Sequence, residues 1–215
     1  MVSADKLEQI GLEAREVSEQ ARLLLQAEFY WSPVDDFSPF GNDDGSDAFH
    51  YFKEWRERNT EASPIIFVDE LLEEWGYPKF DLTETDEGKV KKYRETESRG
   101  YSSEEIGWFR EHFERLAMLS GKDFKEDELN ESLNMASSGM GKKYLSGIDN
   151  AVIAVGFGQF LFEGTIEEDL YALVEAALNR ELLPFVLDDM EEKLKKERKQ
   201  KLMQMSLDLE KMKQR

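Results

Sequence analysis

Cysteine is absent from all 215 residues, which excludes disulfides, thiolate metal sites and cysteine nucleophiles together and makes an intracellular location the simpler expectation. Zinc loses its commonest structural ligand with it. Long hydrophobic runs are also missing. The greasiest stretch, AVIAVGFGQFLF, is too short and too broken by glycine to span a bilayer, and MVSADKLEQIG has no basic head leading into an apolar core. A cytoplasmic protein without a membrane partner is expected. Basic charge is the third shortage, with 28 Lys and Arg against 47 Asp and Glu for a formal net of -19. Such a field repels nucleic acid, whose binding needs a basic patch to displace counterions, and it favours a basic protein as partner.

What is present suffices for a folded body. A chain of this length buries roughly 70% of the surface that its unfolded state exposes and needs no metal or disulfide staple. With 40% hydrophobic, 12% aromatic and 35% charged residues, the composition is that of a globule with a heavily charged surface. The charge is uneven: residues 188–215 hold nine basic and seven acidic side chains, while between Glu61 and Gly88 nine acidic residues face the single Lys79. Solubility is the simpler account of this asymmetry, and a field that steers a partner is the alternative.

Periodicity places helices along most of the chain. Leu7, Ile10, Ala14, Val17, Ala21, Leu24 and Leu25 recur at three and four, which predicts one amphipathic helix over residues 3–28. Ser46 is a plausible N-cap for a short helix carrying Phe49, Phe52 and Trp55. Pro64 suits the first turn of IIFVDELLEEW, closed by Gly76, with a short strand at IIFV as the alternative. Residues 79–100 predict a polar surface connection with one exposed helix and little core. Ser102 with Glu105 matches a capping box, ahead of a buried stripe at Ile106, Phe109, Phe113, Leu116 and Leu119. A weaker helix over residues 127–136 and the glycine-rich SSGMGKKYLSG follow.

The stretch 149–164 is apolar nearly all round and too long for a typical strand, which predicts the buried central helix. Gly156 and Gly158 fit there only where another helix approaches closely, or else in a strand with a bulge. Thr165 with Glu168 predicts a second capping box, and Pro184 starts a final helix. In it Leu202, Met205, Leu209 and Met212 are spaced like a coiled-coil seam, interrupted upstream by Arg198 and Lys201. The expected fold is mainly α: a compact helical domain around a buried central helix at about 149–163, with a long C-terminal helix. Residues 1–187 form the acidic domain and residues 188–215 the charged amphipathic helix, through which (187–212) a homodimer is conceivable.

Candidate chemistry is thin. FYWSPVDDFSPFGNDDGSDAFHYFKEWRERN, residues 29–59, is too apolar for a disordered linker and too rich in Pro, Gly and Asp for one regular element, so it predicts an ordered acidic, aromatic loop. Asp43, Asp44, Asp47 and His50 offer oxygen and imidazole ligands suited to manganese, iron or calcium. No calcium-loop register fits them, and aspartates at a helix start are favoured by capping and the helix dipole alone. His112 is predicted to be partly exposed. The loop Gly139-Met140-Gly141-Lys142-Lys143 lacks both the first glycine and the magnesium-binding hydroxyl of a phosphate cradle. Gly156 and Gly158 lack the third glycine of a dinucleotide fingerprint, since position 161 is Leu161.

The run at residues 29–59, SPFGNDDG above all, together with DNAVIAVGFGQFLFEGTIEEDL, resembles the bacterial YfeS-like family of uncharacterised proteins, some of whose relatives are described as molybdate metabolism regulators. The resemblance covers about two thirds of the chain and implies a bacterial intracellular protein. Those relatives can carry a module marked by Trp-Gly-Arg; here Trp75-Gly76 is followed by Tyr77, so nothing of that module carries over. The expected function is a non-catalytic, acidic protein-binding module of immunity or adaptor type, without cofactor. Its binding residues would be Trp31, Asp35, Asp36, Phe40, Asp43, Asp44 and Trp55. The alternative is a metal-assisted enzyme using Asp43, Asp44, Asp47 and His50.

Overall fold

A computed structural model describes residues 4–96 and 100–213, and among these the fold is helical with no strand. In chain order the helices are α1 Ala4–Gln9, α2 Glu19–Leu24, α3 Asp43–Arg58, α4 Pro64–Glu74, α5 Glu87–Thr96, α6 Ser103–Leu119, α7 Glu126–Ser137, α8 Gly141–Glu163, α9 Glu168–Glu181, α10 Pro184–Leu187 and α11 Glu192–Lys213. Two units emerge: Met1–Val90 with Leu145–Arg215, and Lys91–Tyr144. The boundary expected at residue 187 is therefore not where the chain divides. α11 belongs to the first unit because Leu202, Met205, Leu209 and Met212 are buried in its core, where α11 packs on α9. The seam that looked available to a second copy is covered by the chain's own helices.

The first unit is built around α8. Ala151, Val152, Ala154, Val155, Phe157, Phe160 and Leu161 are wholly buried, as a helix that is apolar all round requires. Within Glu126–Glu163 a window is apolar and long enough to cross a bilayer, and 83% of it lies inside the fold. Gly156 answers its alternative: a Cβ there would collide with Val174 Cγ2 of α9, so the close approach of a second helix decides the residue. On another side Phe49 and Phe52 of α3 sit 3.2 and 3.4 Å from where a Gly158 Cβ would stand.

Three predicted elements are corrected. The single helix over residues 3–28 is instead α1, a 3-10 turn at Ala14–Glu16, α2 and a second 3-10 turn at Glu28–Trp31. Gly11 adopts φ +71°, and Leu12 N–H closes back on Leu7 O at 2.9 Å, which ends α1 in a left-handed turn. Ser18 restarts the helix: its hydroxyl accepts from Ala21 N–H and donates to Phe160 O, while its own N–H donates to Leu161 O. One serine thus caps α2 and pairs carbonyls of the last turn of α8. Thr165 does not open α9. Its N-cap is Glu167, whose N–H donates to the buried Gln159 Oε1 at 3.0 Å. The final helix breaks after Leu187, and α11 starts at Glu192.

Buried charge is concentrated where α8, α9 and α11 are held together. Arg180 and Asp149 have fully buried side chains and form a two-pronged pair, Nε to Oδ1 at 3.0 Å and Nη2 to Oδ1 at 2.5 Å. Arg180 Nη1 also donates to Leu82 O and Glu84 O, and its guanidinium faces the Phe80 ring. Arg198 pairs with Glu181 at 2.8 Å, both nearly buried. Residues 79–96 accordingly contribute more core than their polarity predicts, because Arg180 anchors the connection from below and Val90 is fully buried.

The second unit contrasts with this. Among the described residues its buried ones are Tyr93, Arg94, Leu129, Gly141 and Tyr144. The capping box of Ser102 and Glu105 forms as predicted. The stripe expected to be buried on α6 is not: the helix has no buried residue, and Leu116 and Leu119 are exposed. Periodicity identifies an apolar face but does not supply a neighbour to cover it.

Candidate functional site

The loop expected to bind a partner is ordered, and its aromatics serve the core instead. Trp31 is buried with its indole N–H on Leu25 O at 2.8 Å, and Phe40 is buried with its ring 4.4 Å from that of Phe49. Trp55 is half-buried against Phe52 and Phe67. As surface binding residues Trp31 and Phe40 are corrected. An aromatic-rich loop beside an apolar helix lowers its free energy most by packing onto it, at roughly 25 cal/mol per Å² of apolar area. Asp35 accepts from Phe37 N–H in a local turn and pairs with Lys201 at 2.6 Å. Asp36 is exposed and borders an open cleft of about 520 Å³ with Val34, Phe37, Met190, Leu194 and Glu197.

The proposed ligand set does not converge. α3 begins four residues earlier than expected because Asn42, not Ser46, is the N-cap, accepting Gly45 N–H at 2.8 Å. Asp43 and Asp44 therefore occupy the first turn, where the helix dipole favours them. Asp43, Asp47 and His50 face solvent, while Asp44 turns inward to accept the Tyr77 hydroxyl at 3.3 Å. Burial raises its carboxyl above the ordinary value, opposed by hydrogen bonds from Tyr77 and Asn150. Among the described residues no group of three or more His, Cys, Asp or Glu side chains could hold a metal ion.

A different place in the first unit combines concavity with unbalanced charge. Pro64 starts α4 at its first position, and Phe67, Val68 and Leu71 turn inward, in a helix that packs against α3 and α9. The opposite face presents Asp69, Glu70, Glu73 and Glu74, all exposed, and among the described residues none of them forms an ion pair. After Gly76 the chain folds beside α8. Tyr77 lies so close to Gly147 that a Cβ there would come within 2.6 Å of its hydroxyl oxygen. Pro78, Lys79, Phe80 and Leu82 then form a wall, fixed underneath by Arg180 through Leu82 O and the Phe80 ring. Between this wall and α4 lies a cleft of about 410 Å³ with Leu72, Tyr77, Phe80, Leu82 and Ile148 as its apolar lining and Asp69 and Glu73 on its rim.

Asp149 supports the site from beneath. Burial pushes its carboxyl upward against the pull of Arg180; the pair is structural, since both side chains are sealed from solvent. The acidic run from Glu61 onward had been legible as charge. That α4 and residues 77–82 would enclose a cleft was not, because Tyr77, Phe80 and Leu82 follow no period that announces a wall. Neither family models, curated proteins nor solved structures yield a match to this chain.

Proposed function

We propose that the protein is a non-catalytic binding module, of immunity or adaptor type, that receives a basic protein partner in the cleft beside α4. One observation carries this reading: the carboxylates of α4 stand where helix energetics oppose them. Asp69 with Glu73, and Glu70 with Glu74, are like-charged pairs one turn apart, each costing an isolated helix about 0.2–0.5 kcal/mol. Glu73 and Glu74 also close a helix with no basic residue in its last turn, at the negative end of its dipole. Solubility alone would be served by carboxylates placed anywhere on the surface. A cationic side chain docking at that helix end relieves both penalties, while an apolar neighbour on the same partner segment enters the cleft.

The resemblance to the YfeS-like family and a bacterial, cytoplasmic setting belong to the same proposal and add no activity to it. The test is affinity capture from the host at low and high salt, with the native chain and with Asp69→Lys/Glu73→Lys. A basic protein retained at low salt, released as the screening length shrinks from about 10 Å at 0.1 M to about 3 Å at 1 M, and absent from the double variant is the expected result. Capture unaffected by the double variant, with its circular dichroism unchanged, would sink the assignment of the cleft.

A further inference from the structure

The apolar side chains left bare on α6 are arranged in a way that bears on self-association. Glu104, Trp108, His112, Arg115 and Leu119 are all exposed and follow one another at four, four, three and four residues, so they form a single outward stripe. Trp108 is 61% exposed and Leu119 74%. The His112 ring stacks on Trp108 at 5.7 Å and an interplanar angle of 9°, which fixes a flat platform at mid-helix. Arg115 forms no ion pair among the described residues.

The middle of that stripe, from Trp108 to Arg115, is complementary to its own reversal. Laid antiparallel on a copy of itself, with the crossing point between Glu111 and His112, Glu104 faces Leu119, Trp108 faces Arg115 and His112 faces Glu111. A guanidinium over an indole is the best of the cation–π pairings, and two-fold symmetry repeats it. The helix dipoles also run opposed, with the acidic first turn of Glu104 and Glu105 set beside the other helix's C-terminal end, followed there by Lys122. Net charge selects the same place. Lys91–Tyr144 carries ten basic and eleven acidic side chains, so only -1 of the chain's -19 resides there and -18 lies in the remainder. Two copies meeting through the first unit would set -18 against -18, whereas α6 holds four Glu and two Arg and sets only -2 against -2. A basic partner drawn to the acidic surface has no charge reason to choose this stripe.

We infer that α6 is a self-association surface, pairing antiparallel with α6 of a second copy so that Trp108 of each lies on Arg115 of the other. This is independent of the α4 cleft and replaces the seam on α11. The test uses the full chain, in light scattering across a concentration series. A dimer is expected, with Kd raised at least tenfold by Trp108→Glu and by Arg115→Glu while helicity is retained. Because the chain has no cysteine, His112→Cys provides a readout that does not depend on weakening a contact: under oxidant it should give a covalent dimer, and Glu131→Cys on α7 should not. A monomer at every concentration overturns the inference. So does a dimer indifferent to Trp108→Glu in which His112→Cys stays uncrosslinked.

Discussion

α8 and α6 are helices of 23 and 17 residues, both rich in large apolar side chains, and they fare oppositely. Seven core positions of α8 from Ala151 to Leu161 are wholly covered, by α3, α9 and the aromatic turn before residue 32, whereas α6 buries none. The difference lies in the neighbours. α8 has glycine at position 156, letting Val174 approach to contact, and phenylalanines at 157 and 162 that meet Tyr30 and Phe49 ring to ring. α6 packs against α7. Hydrophobic content therefore measures the demand for burial, and topology decides whether it is met within one chain.

The widest separation between the two units should come from truncating side chains. Phe157→Ala should destabilise the fold by about 3–5 kcal/mol through lost burial and a residual cavity, while Met118→Ala, at an exposed position of α6, should stay within about 0.5 kcal/mol. Urea unfolding followed by circular dichroism checks both, and equal effects would erase the contrast.

Ion pairs sharpen it further. Asp149→Ala strands the buried guanidinium of Arg180 and should cost about 3–5 kcal/mol. In the second unit Glu126→Gln breaks the exposed pair with Arg110 and should leave the urea midpoint where it was. A midpoint shift of similar size in both variants would mean that the second unit is as tightly built as the first.

The smallest effect concerns Asp44. Its carboxyl is raised in the folded state, mainly by burial, so the fold holds that proton more tightly than the unfolded chain does. The associated stability is fully present below the unfolded value of 3.8 and is lost as pH rises through the folded one. Asp44→Asn should therefore raise the urea midpoint slightly at pH 7, with the gain vanishing near pH 3. A loss at pH 7 would mean that the hydrogen bonds from Tyr77 and Asn150 outweigh desolvation.

Elements governed by local chemistry were legible in advance. Pro64 and Gly76 bracket α4, Ser102 with Glu105 caps α6, and the apolar run around residue 155 is the central helix. Elements governed by long-range contacts were not. Asp43, Asp44, Asp47 and His50 sit at suggestive spacings, but Tyr77, 33 residues beyond Asp44, draws that carboxylate inward and scatters the set. Trp31 and Phe40 looked like contact residues for a partner because composition cannot tell a surface aromatic from one that folds back on its own helix.

The amino-acid sequence alone determined that this chain is helical, acidic and free of thiol chemistry, since helix period, caps and net charge are properties of neighbouring residues or of simple sums. Only the tertiary structure decided which apolar stripes are covered, that α11 closes on α9, and where unpaired carboxylates border a cleft. Those outcomes depend on which distant segments meet, and a segment's own periodicity carries no address for its partner.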